Sequence, residues 1–160
     1  MFTIRKTYKV EYAHQLKSAY SAACHETIHG HSGMIELFFI SNVLDENKMV
    51  VDFGEVSGLV KDYLMKTYDH ALIIPSSFDK SYIKCLQKYN KKLMVVDNNP
   101  TAESFCETIF WDITTMLTPI INPTRQFFLY KVRFHETDTG YAEYVPQTHN
   151  GVPNIKKNIA

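Results

Sequence analysis

Two long segments near the start of the chain alternate in the manner of β-strands, and this pair most limits what the chain can fold into. The segments cover residues 2–14 and 31–42. The second segment is apolar on both faces, with Ile35, Leu37 and Phe39 on one and Met34, Phe38 and Ile40 on the other. Such a strand needs cover on both sides. We therefore expect helices against one face of the sheet and a second layer against the other.

Two segments with helical spacing follow the strands. The first is predicted to span about residues 53–66, where Asp52 can cap the first turn. The second is predicted over residues 102–116, and Pro119 prevents its continuation. Between them, residues 75–92 are polar and lysine-rich with apolar residues at helical intervals, which predicts a short surface helix.

The last clear pattern is a β-hairpin. Residues 127–136 and 140–145 are predicted to pair around a turn that contains Gly140. The order of elements, ββααββ, predicts an α+β fold in which an antiparallel four-stranded sheet has helices on one face. Such a sheet leaves its other face and both edges open. We therefore expect copies of the chain to associate edge to edge into a β-barrel.

Length and charge restrict the class of protein. The 160 residues suit one domain, which we place at residues 1–146, followed by a polar tail at residues 147–160. Lys plus Arg (17) balance Asp plus Glu (17), which argues against a nucleic-acid partner. The N-terminus lacks a signal-peptide pattern, and no apolar run reaches the ~18 residues of a membrane span. Three irregularly spaced cysteines indicate reduced thiols. These features predict a cytoplasmic protein without a membrane partner.

Residues 24–31, Cys-His-Glu-Thr-Ile-His-Gly-His, concentrate titratable side chains in one short stretch. If the end of this stretch is a strand, His29 and His31 project to the same face of the sheet. His14 ends the first alternating segment and would lie beside them if the chain turned back. Three imidazoles with an open fourth position are typical of a catalytic zinc (Zn2+) site.

Two other interpretations of these histidines stay open at this point. Single histidines are commonly surface residues or satisfied core residues, and a His-x-His pair also arises by chance in a chain with seven histidines. Alternatively, Cys24 could close the site as a fourth protein ligand. A closed four-ligand zinc site is structural, and the protein would then be a zinc-stabilised, non-enzymatic oligomer.

Several short motifs, taken in their order along the chain, resemble those of a known family. They are His14, Cys24, His29-Gly30-His31, Asp69-His70, Asn99-Pro100-Thr101-Ala102-Glu103 and His135-Glu136-Thr137. Together they resemble the 6-pyruvoyltetrahydropterin synthase and 6-carboxytetrahydropterin synthase family over about residues 3–146. The resemblance implies the tunnelling fold, a pterin triphosphate as small-molecule substrate, and barrel-forming trimers that pair into homohexamers.

The resemblance also implies a role for each motif. His14, His29 and His31 would bind zinc, Cys24 would be the catalytic base, Asp69 and His70 would join it from a neighbouring subunit, and Glu136 and Thr101 would contact the pterin. These roles agree with the chemistry of the residues. A carboxylate can accept two N–H bonds from a pterin ring, and a thiol beside a metal ion has more thiolate character than a free one.

The spacing of Cys24 leaves the product open within this family. Carboxy-forming members usually have three residues between the cysteine and His-Gly-His and pyruvoyl-forming members five, whereas this chain has four. Glu26 occupies the position of the base in members that make 6-hydroxymethyldihydropterin for folate synthesis. We favour Cys24 as the base, because an irregular loop absorbs one extra residue at little entropic cost. The preferred activity is therefore that of a lyase, 6-carboxytetrahydropterin synthase of queuosine biosynthesis, with the pyruvoyl-forming and hydroxymethyl-forming reactions as alternatives.

Overall fold

The first two predicted strands form the centre of a sheet in the computed structural model, which describes residues 1–121, 126–149 and 152–153. Strand β1 (Phe2–His14) pairs antiparallel with strand β2 (His29–Ser41) along its whole length. The second strand begins two residues earlier than predicted, so the His-Gly-His motif lies entirely within it. This pairing confirms that the chain turns back between the two segments.

Four further strands extend this sheet on both sides. Strands β5 (Phe128–His135) and β6 (Tyr141–Tyr144) form the predicted hairpin beside β2. On the other side, β3 (Ala71–Pro75) and β4 (Leu93–Val96) run parallel to β1 and to each other. The sheet therefore has six strands in the order β4-β3-β1-β2-β5-β6.

The predicted four-stranded antiparallel sheet is therefore wrong in its strand count and in part of its strand direction. Every residue of β3 is buried. A short, continuously apolar segment of this kind lacks the alternation that identifies a half-exposed strand, and its periodicity does not distinguish it from a buried piece of helix.

The predicted helices are present. Helix α1 (Ala22–His25) is a single short turn before β2, and α2 (Phe53–Thr67) begins after Asp52, whose side chain accepts hydrogen bonds from the backbone N–H groups of Gly54 and Glu55. Helix α3 (Lys80–Tyr89) is the expected surface helix, and α4 (Ala102–Leu117) begins after Thr101. A 3-10 helix (Thr118–Ile120) follows α4.

Helices α2 and α4 cover one face of the sheet, where the core forms. The largest fully buried side chains there include Ile35, Leu37, Phe39, Leu64, Ile109, Phe110, Ile113 and Phe134. The residues of β2 on this face are those of one parity in the alternating pattern, as expected for a strand.

The opposite face of β2 contains a buried carboxylate, that of Glu36, which is only 1% exposed. It is 2.7 Å from Arg5 Nη1, 3.2 Å from Arg133 Nη1 and 3.0 Å from His135 Nε2. Burial opposes the charged form of Glu36, but these hydrogen bonds and positive charges outweigh it and lower its pKa below the usual value. The second face of the sheet is thus partly covered by polar side chains.

The C-terminal residues are only partly described. Residues Thr148–His149 and Val152–Pro153 form two short paired strands, β7 and β8, where no pattern was predicted. The rest of the predicted tail, residues 150–151 and 154–160, lies outside the described residues. The domain boundary at residue 146 stays a prediction. No helix within the described residues has the length and apolar character needed to cross a membrane.

Candidate functional site

The register of β1 and β2 brings three histidines together at the end of the strand pair. His14 lies directly opposite His29, and His31 lies opposite Tyr12, two residues before His14. Side chains that are directly or diagonally opposed on one face of an antiparallel pair contact each other. The Nε2 atom of His14 is accordingly 3.0 Å from that of His29 and 3.2 Å from that of His31.

Backbone carbonyls determine which ring nitrogen is protonated in two of these histidines. His14 Nδ1 is 2.7 Å from the carbonyl oxygen of Pro100, and His29 Nδ1 is 3.1 Å from that of Thr27. Because a carbonyl only accepts, each Nδ1 donates its proton and each Nε2 presents a lone pair. Burial lowers the pKa of His14 to about 4. Burial also lowers the pKa of His31, against a weaker opposing effect of the Glu136 carboxylate. Burial therefore favours the neutral form of both imidazoles.

Neutral imidazoles with converging lone pairs have the donor set of a metal site. The three Nε2 atoms belong to a group whose ligand atoms all lie within 4.8 Å of one another. Zinc–nitrogen bonds of 2.0–2.1 Å in a tetrahedral site place neighbouring ligand atoms ~3.3 Å apart, close to the two short separations between these rings. The hydrogen bonds from Nδ1 also supply the outer partners that orient metal-binding histidines. The residues present therefore fit a divalent metal ion.

A cavity of about 320 Å³ adjoins this histidine cluster. His14, Cys24, Thr101 and Glu136 all line it, so one chain brings together four of the residues singled out in the sequence. Thr101 is also the N-cap of α4, where its hydroxyl accepts a hydrogen bond from the backbone N–H of Ser104. A capping role and contact with a ligand in the cavity are thus compatible for this residue.

Cys24 and Glu26, the two candidate bases, lie in different surroundings. Cys24 is half-buried in α1 and lines the cavity. The side chain of Glu26 is 69% exposed, and its carboxylate is 3.6 Å from His25 Nε2. Glu26 is not among the described residues that line this cavity. The geometry therefore places the thiol, and not this carboxylate, in the cavity that His14 lines.

Asp69 and His70 follow α2 in a tight turn where His70 has a positive φ of 55°. His70 Nδ1 is 2.8 Å from the Asp69 carboxylate, which also accepts a hydrogen bond from the backbone N–H of Glu11; the latter bond is the main cause of the lowered pKa of Asp69. Lys92 donates to the carbonyl oxygens of Met65 and Asp69 and so supports the turn.

The side chain of His70 is 77% exposed and does not line the cavity of Cys24. It lines a second, more open cavity of about 670 Å³ together with His31. Within one chain, therefore, the Asp69–His70 pair and the thiol approach the histidine cluster from different cavities.

Tyr12 and Gly33 belong to the site although the sequence analysis did not single them out for function. The Tyr12 ring packs against the His31 ring with centroids 5.5 Å apart, and its buried hydroxyl lies near the Glu136 carboxylate. Burial, and then the nearby Glu136 carboxylate, raise the pKa of Tyr12. A Cβ atom on Gly33 would lie 3.0 Å from Tyr12 Cε1, so this glycine provides room for the ring. The sequence offered one signal for Tyr12: it lies two residues before His14 in the first alternating segment, so both side chains share one face of the strand.

Comparison with known proteins gives consistent matches over most of the chain. Residues 3–147 match the family described as 6-pyruvoyl tetrahydropterin synthase. A Helicobacter pylori protein named 6-carboxy-5,6,7,8-tetrahydropterin synthase is 28% identical over 142 residues, which cover 88% of this chain and 70% of the relative. A Rickettsia typhi protein of the same name is 30% identical over 117 residues, covering 72% of this chain and 81% of the relative.

Two solved structures show the same fold. An uncharacterised protein of Wolinella succinogenes aligns with a TM-score of 0.75 and 19% identity, covering 91% of this chain and 98% of its own. The Caenorhabditis elegans 6-pyruvoyl tetrahydropterin synthase aligns with a TM-score of 0.63 and 21% identity, covering 91% of this chain and 96% of its own.

Proposed function

The chain belongs to the 6-pyruvoyl tetrahydropterin synthase family, and on that premise we propose that it converts 7,8-dihydroneopterin triphosphate to 6-carboxy-5,6,7,8-tetrahydropterin for queuosine (7-deazaguanine) biosynthesis. The family's tunnelling fold is the one expected from the motifs, with a sheet of six strands instead of four. The observation that most supports the proposal is the thiol of Cys24 in the same cavity as His14, one of the three clustered histidines. The names of the relatives support the carboxy-forming reaction among the alternatives.

The proposed reaction balances without an external oxidant or reductant. One water molecule is consumed, the bond between the first and second side-chain carbons breaks, and acetaldehyde and triphosphate leave. The first side-chain carbon is oxidised to the carboxylate and the second to the aldehyde carbon of acetaldehyde. The dihydropterin ring is reduced to the tetrahydro form, and the third side-chain carbon, which loses triphosphate, is reduced to the methyl group of acetaldehyde. The chemistry that the protein must supply is therefore proton transfer and charge stabilisation.

We assign His14, His29 and His31 as the ligands of a zinc ion. When bound, zinc held by neutral imidazoles polarises substrate hydroxyls and lowers the cost of removing protons from the adjacent carbons. The rings of His14 and His29 are suited to this role because the carbonyl oxygens of Pro100 and Thr27 accept the protons of their Nδ1 atoms in hydrogen bonds and orient their Nε2 atoms toward His31 and toward each other.

Cys24 is proposed to remove a proton from the substrate side chain. Its place in the cavity supports this role, and the exposure of Glu26 argues against the hydroxymethyl-forming alternative that would use that carboxylate. His70, with its tautomer set by Asp69, is proposed to move the proton onward. Glu136 is proposed to accept the pterin N–H bonds, with Thr101 contacting the ring from the start of α4.

The arrangement of the proton-transfer residues also supports a homo-oligomer. His70 is exposed and lines a cavity that does not contain Cys24, so a second copy of the chain is the natural source of the pair that would work beside each thiol. Strands β4 and β6 are the two edges of the sheet and offer backbone groups for edge-to-edge pairing into a barrel. We propose trimers or hexamers on this basis. All three cysteines are free thiols, as expected for the proposed cytoplasmic location.

Product identification tests the proposed function directly. The zinc-loaded protein is incubated with 7,8-dihydroneopterin triphosphate, and the products are analysed by chromatography and mass spectrometry. Acetaldehyde together with 6-carboxytetrahydropterin supports the proposal. Hydroxymethyldihydropterin with a glycolaldehyde-type fragment, or a pyruvoyl product, would identify one of the alternative reactions instead.

A spectroscopic measurement tests the non-enzymatic alternative. In the cobalt-substituted protein, a strong thiolate-to-metal absorption band would make Cys24 a fourth ligand and the site structural. We expect no such band, because Cys24 is not part of the described group of converging metal-binding atoms.

A further inference from the structure

We propose that the Tyr12 hydroxyl positions the Glu136 carboxylate for the pterin by donating a hydrogen bond to one of its oxygens. This inference rests on the proposed function, in which Glu136 accepts the N–H bonds of the pterin. Tyr12 is thus a positioning residue, which acts on the substrate through Glu136 and does not contact the reacting atoms.

The surroundings of the Tyr12 hydroxyl are the first observation. Tyr12 is only 4% exposed, and its oxygen is shielded from solvent. Burial of a hydroxyl without a hydrogen-bond partner costs free energy. Within the described residues, the Glu136 carboxylate is the one group that interacts with this hydroxyl as an acceptor, and its negative charge adds to burial in raising the pKa of Tyr12. The hydroxyl therefore keeps its proton and faces a carboxylate that can accept it in a hydrogen bond.

Four other rings hold the Tyr12 ring in place. Its centroid lies 5.4 Å from that of His14, 5.5 Å from those of His31 and Phe134, and 5.6 Å from that of Phe105. Three of these contacts, those with His14, Phe105 and Phe134, are edge-to-face, an arrangement that aromatic pairs prefer. Because the ring is packed in this way, the direction of its hydroxyl is fixed.

Gly33 lets the end of β5 come close to this ring. A Cβ atom at Gly33 would lie 3.0 Å from Tyr12 Cε1 and 3.3 Å from the carbonyl oxygen of His135. The missing side chain therefore makes room both for the ring and for the backbone that precedes Glu136. Met34, the next residue of β2, pairs with His135. The sheet itself thus fixes where the Glu136 side chain starts relative to Tyr12.

The Glu136 carboxylate has acceptor sites for both partners. Its Oε1 atom is 3.6 Å from His14 Nε2 and 3.9 Å from His31 Nε2, and among the described residues no lysine or arginine forms an ion pair with it. A carboxylate has about four lone-pair sites, so one bond from Tyr12 leaves sites for the two N–H groups of a pterin. A neutral hydroxyl can therefore orient this carboxylate without neutralising its charge.

Two fluorescent pteridines test this inference without turnover. Pterin has its N3–H and 2-amino groups on the edge that a carboxylate can accept, whereas lumazine has a carbonyl oxygen in place of the amino group. The zinc-loaded wild type should therefore bind pterin more tightly than lumazine, as measured by quenching of ligand fluorescence. In Tyr12→Phe, which keeps the ring, we expect the affinity for pterin to fall by about tenfold or more and the affinity for lumazine to change little.

Tyr8→Phe is the matched control. Tyr8 lies on the same face of β1 and is 7% exposed, and its hydroxyl oxygen is 3.3 Å from Ser57 Oγ, so this variant also loses a buried hydroxyl. Its affinities for both pteridines should equal those of the wild type. Measurements of Tm and of bound zinc for every variant show whether the fold and the metal site are retained.

A double-mutant cycle shows whether Tyr12 acts through Glu136. In a Glu136→Ala background, Tyr12→Phe should reduce the affinity for pterin far less than it does in the wild type, because the acceptor is already absent. In steady-state assays of the proposed reaction, Tyr12→Phe should raise KM more than it lowers kcat, since it weakens the anchoring of the ring and not the proton transfer.

The outcomes distinguish this inference from the proposed function. Equal weakening of both pteridines in Tyr12→Phe, unchanged binding of pterin, or the same loss with and without the Glu136 carboxylate would each overturn the inference, and the product assay stands independently of these results. A wild type that binds pterin with this dependence on Tyr12 but forms another product would change only the assigned reaction. A wild type that binds neither pteridine would overturn both proposals.

Discussion

Metal removal should lower the thermal stability of this protein, because the ion would join the ends of two strands. The three proposed ligands come from the paired ends of β1 and β2, and the Nε2 atoms of His29 and His31 lie 3.0 and 3.2 Å from that of His14. An ion that binds only the folded state at 100 times its dissociation constant stabilises that state by about 2.7 kcal/mol. For a chain of 160 residues this corresponds to a rise in Tm of about 5–11 °C.

The assay is thermal unfolding followed by circular dichroism at a series of buffered free zinc concentrations. Above the dissociation constant, each tenfold increase should raise Tm by about 3–6 °C. His29→Ala should abolish the dependence. His25→Ala is the matched control, since its ring bonds to the carbonyl oxygen of Ser21 and lies outside the converging group, and this variant should respond to zinc as the wild type does. A Tm independent of zinc in the wild type, or an equal zinc response in both variants, would refute the reasoning.

Three more predictions concern single residues. Cys24→Ala should keep its zinc, as measured by elemental analysis, but its turnover should fall by about 10²–10⁴-fold. Glu26→Gln should retain turnover. The opposite result would make Glu26 the base. Glu36→Gln should lower the free energy of unfolding at pH 7 by about 1.5–3 kcal/mol in urea titrations, because the lost partner is a buried, hydrogen-bonded charge. The lowered pKa of Glu36 means that its contribution is present above pH 4.5 and is lost as the pH falls through the folded-state pKa. The stabilities of the wild type and this variant should therefore converge as the pH is lowered below the usual carboxyl pKa. Gly33→Ala should lower the free energy of unfolding by about 1–3 kcal/mol, because the new Cβ contacts Tyr12. Adding Tyr12→Leu to the same chain should restore part of this stability, as measured by Tm. Equal stability of Gly33→Ala and wild type would contradict the packing argument.

The elements with a strong local period were predictable. β1 and β2 alternate over long runs, and α2 and α4 have apolar stripes bounded by capping residues at Asp52 and Thr101, so each pattern contains its own boundaries. Strands β3 and β4 were missed. The five residues of β3 are all buried and show no alternation, and β4 has only four residues. The predicted number of strands was therefore too low by these two short segments.

For the candidate site, the sequence by itself determined the parts that depend on neighbours along the chain. Two residues apart on one strand, His29 and His31 must share a face, and this follows from strand geometry alone. The quoted motifs also identified Cys24 and the Asp69–His70 pair as residues of interest.

Only the tertiary structure decided how these parts meet. The contact of His14 with Pro100 joins residues 86 positions apart, and Glu136 approaches His14 only because β5 pairs with β2 beside β1. These contacts form only when the strands pair and the sheet packs against α2 and α4. The contacting residues lie far apart along the chain, so no short stretch of sequence predicts them. The protonation of His14 and the exposure that separates Glu26 from Cys24 follow from the same packing, since both depend on which distant groups surround each side chain.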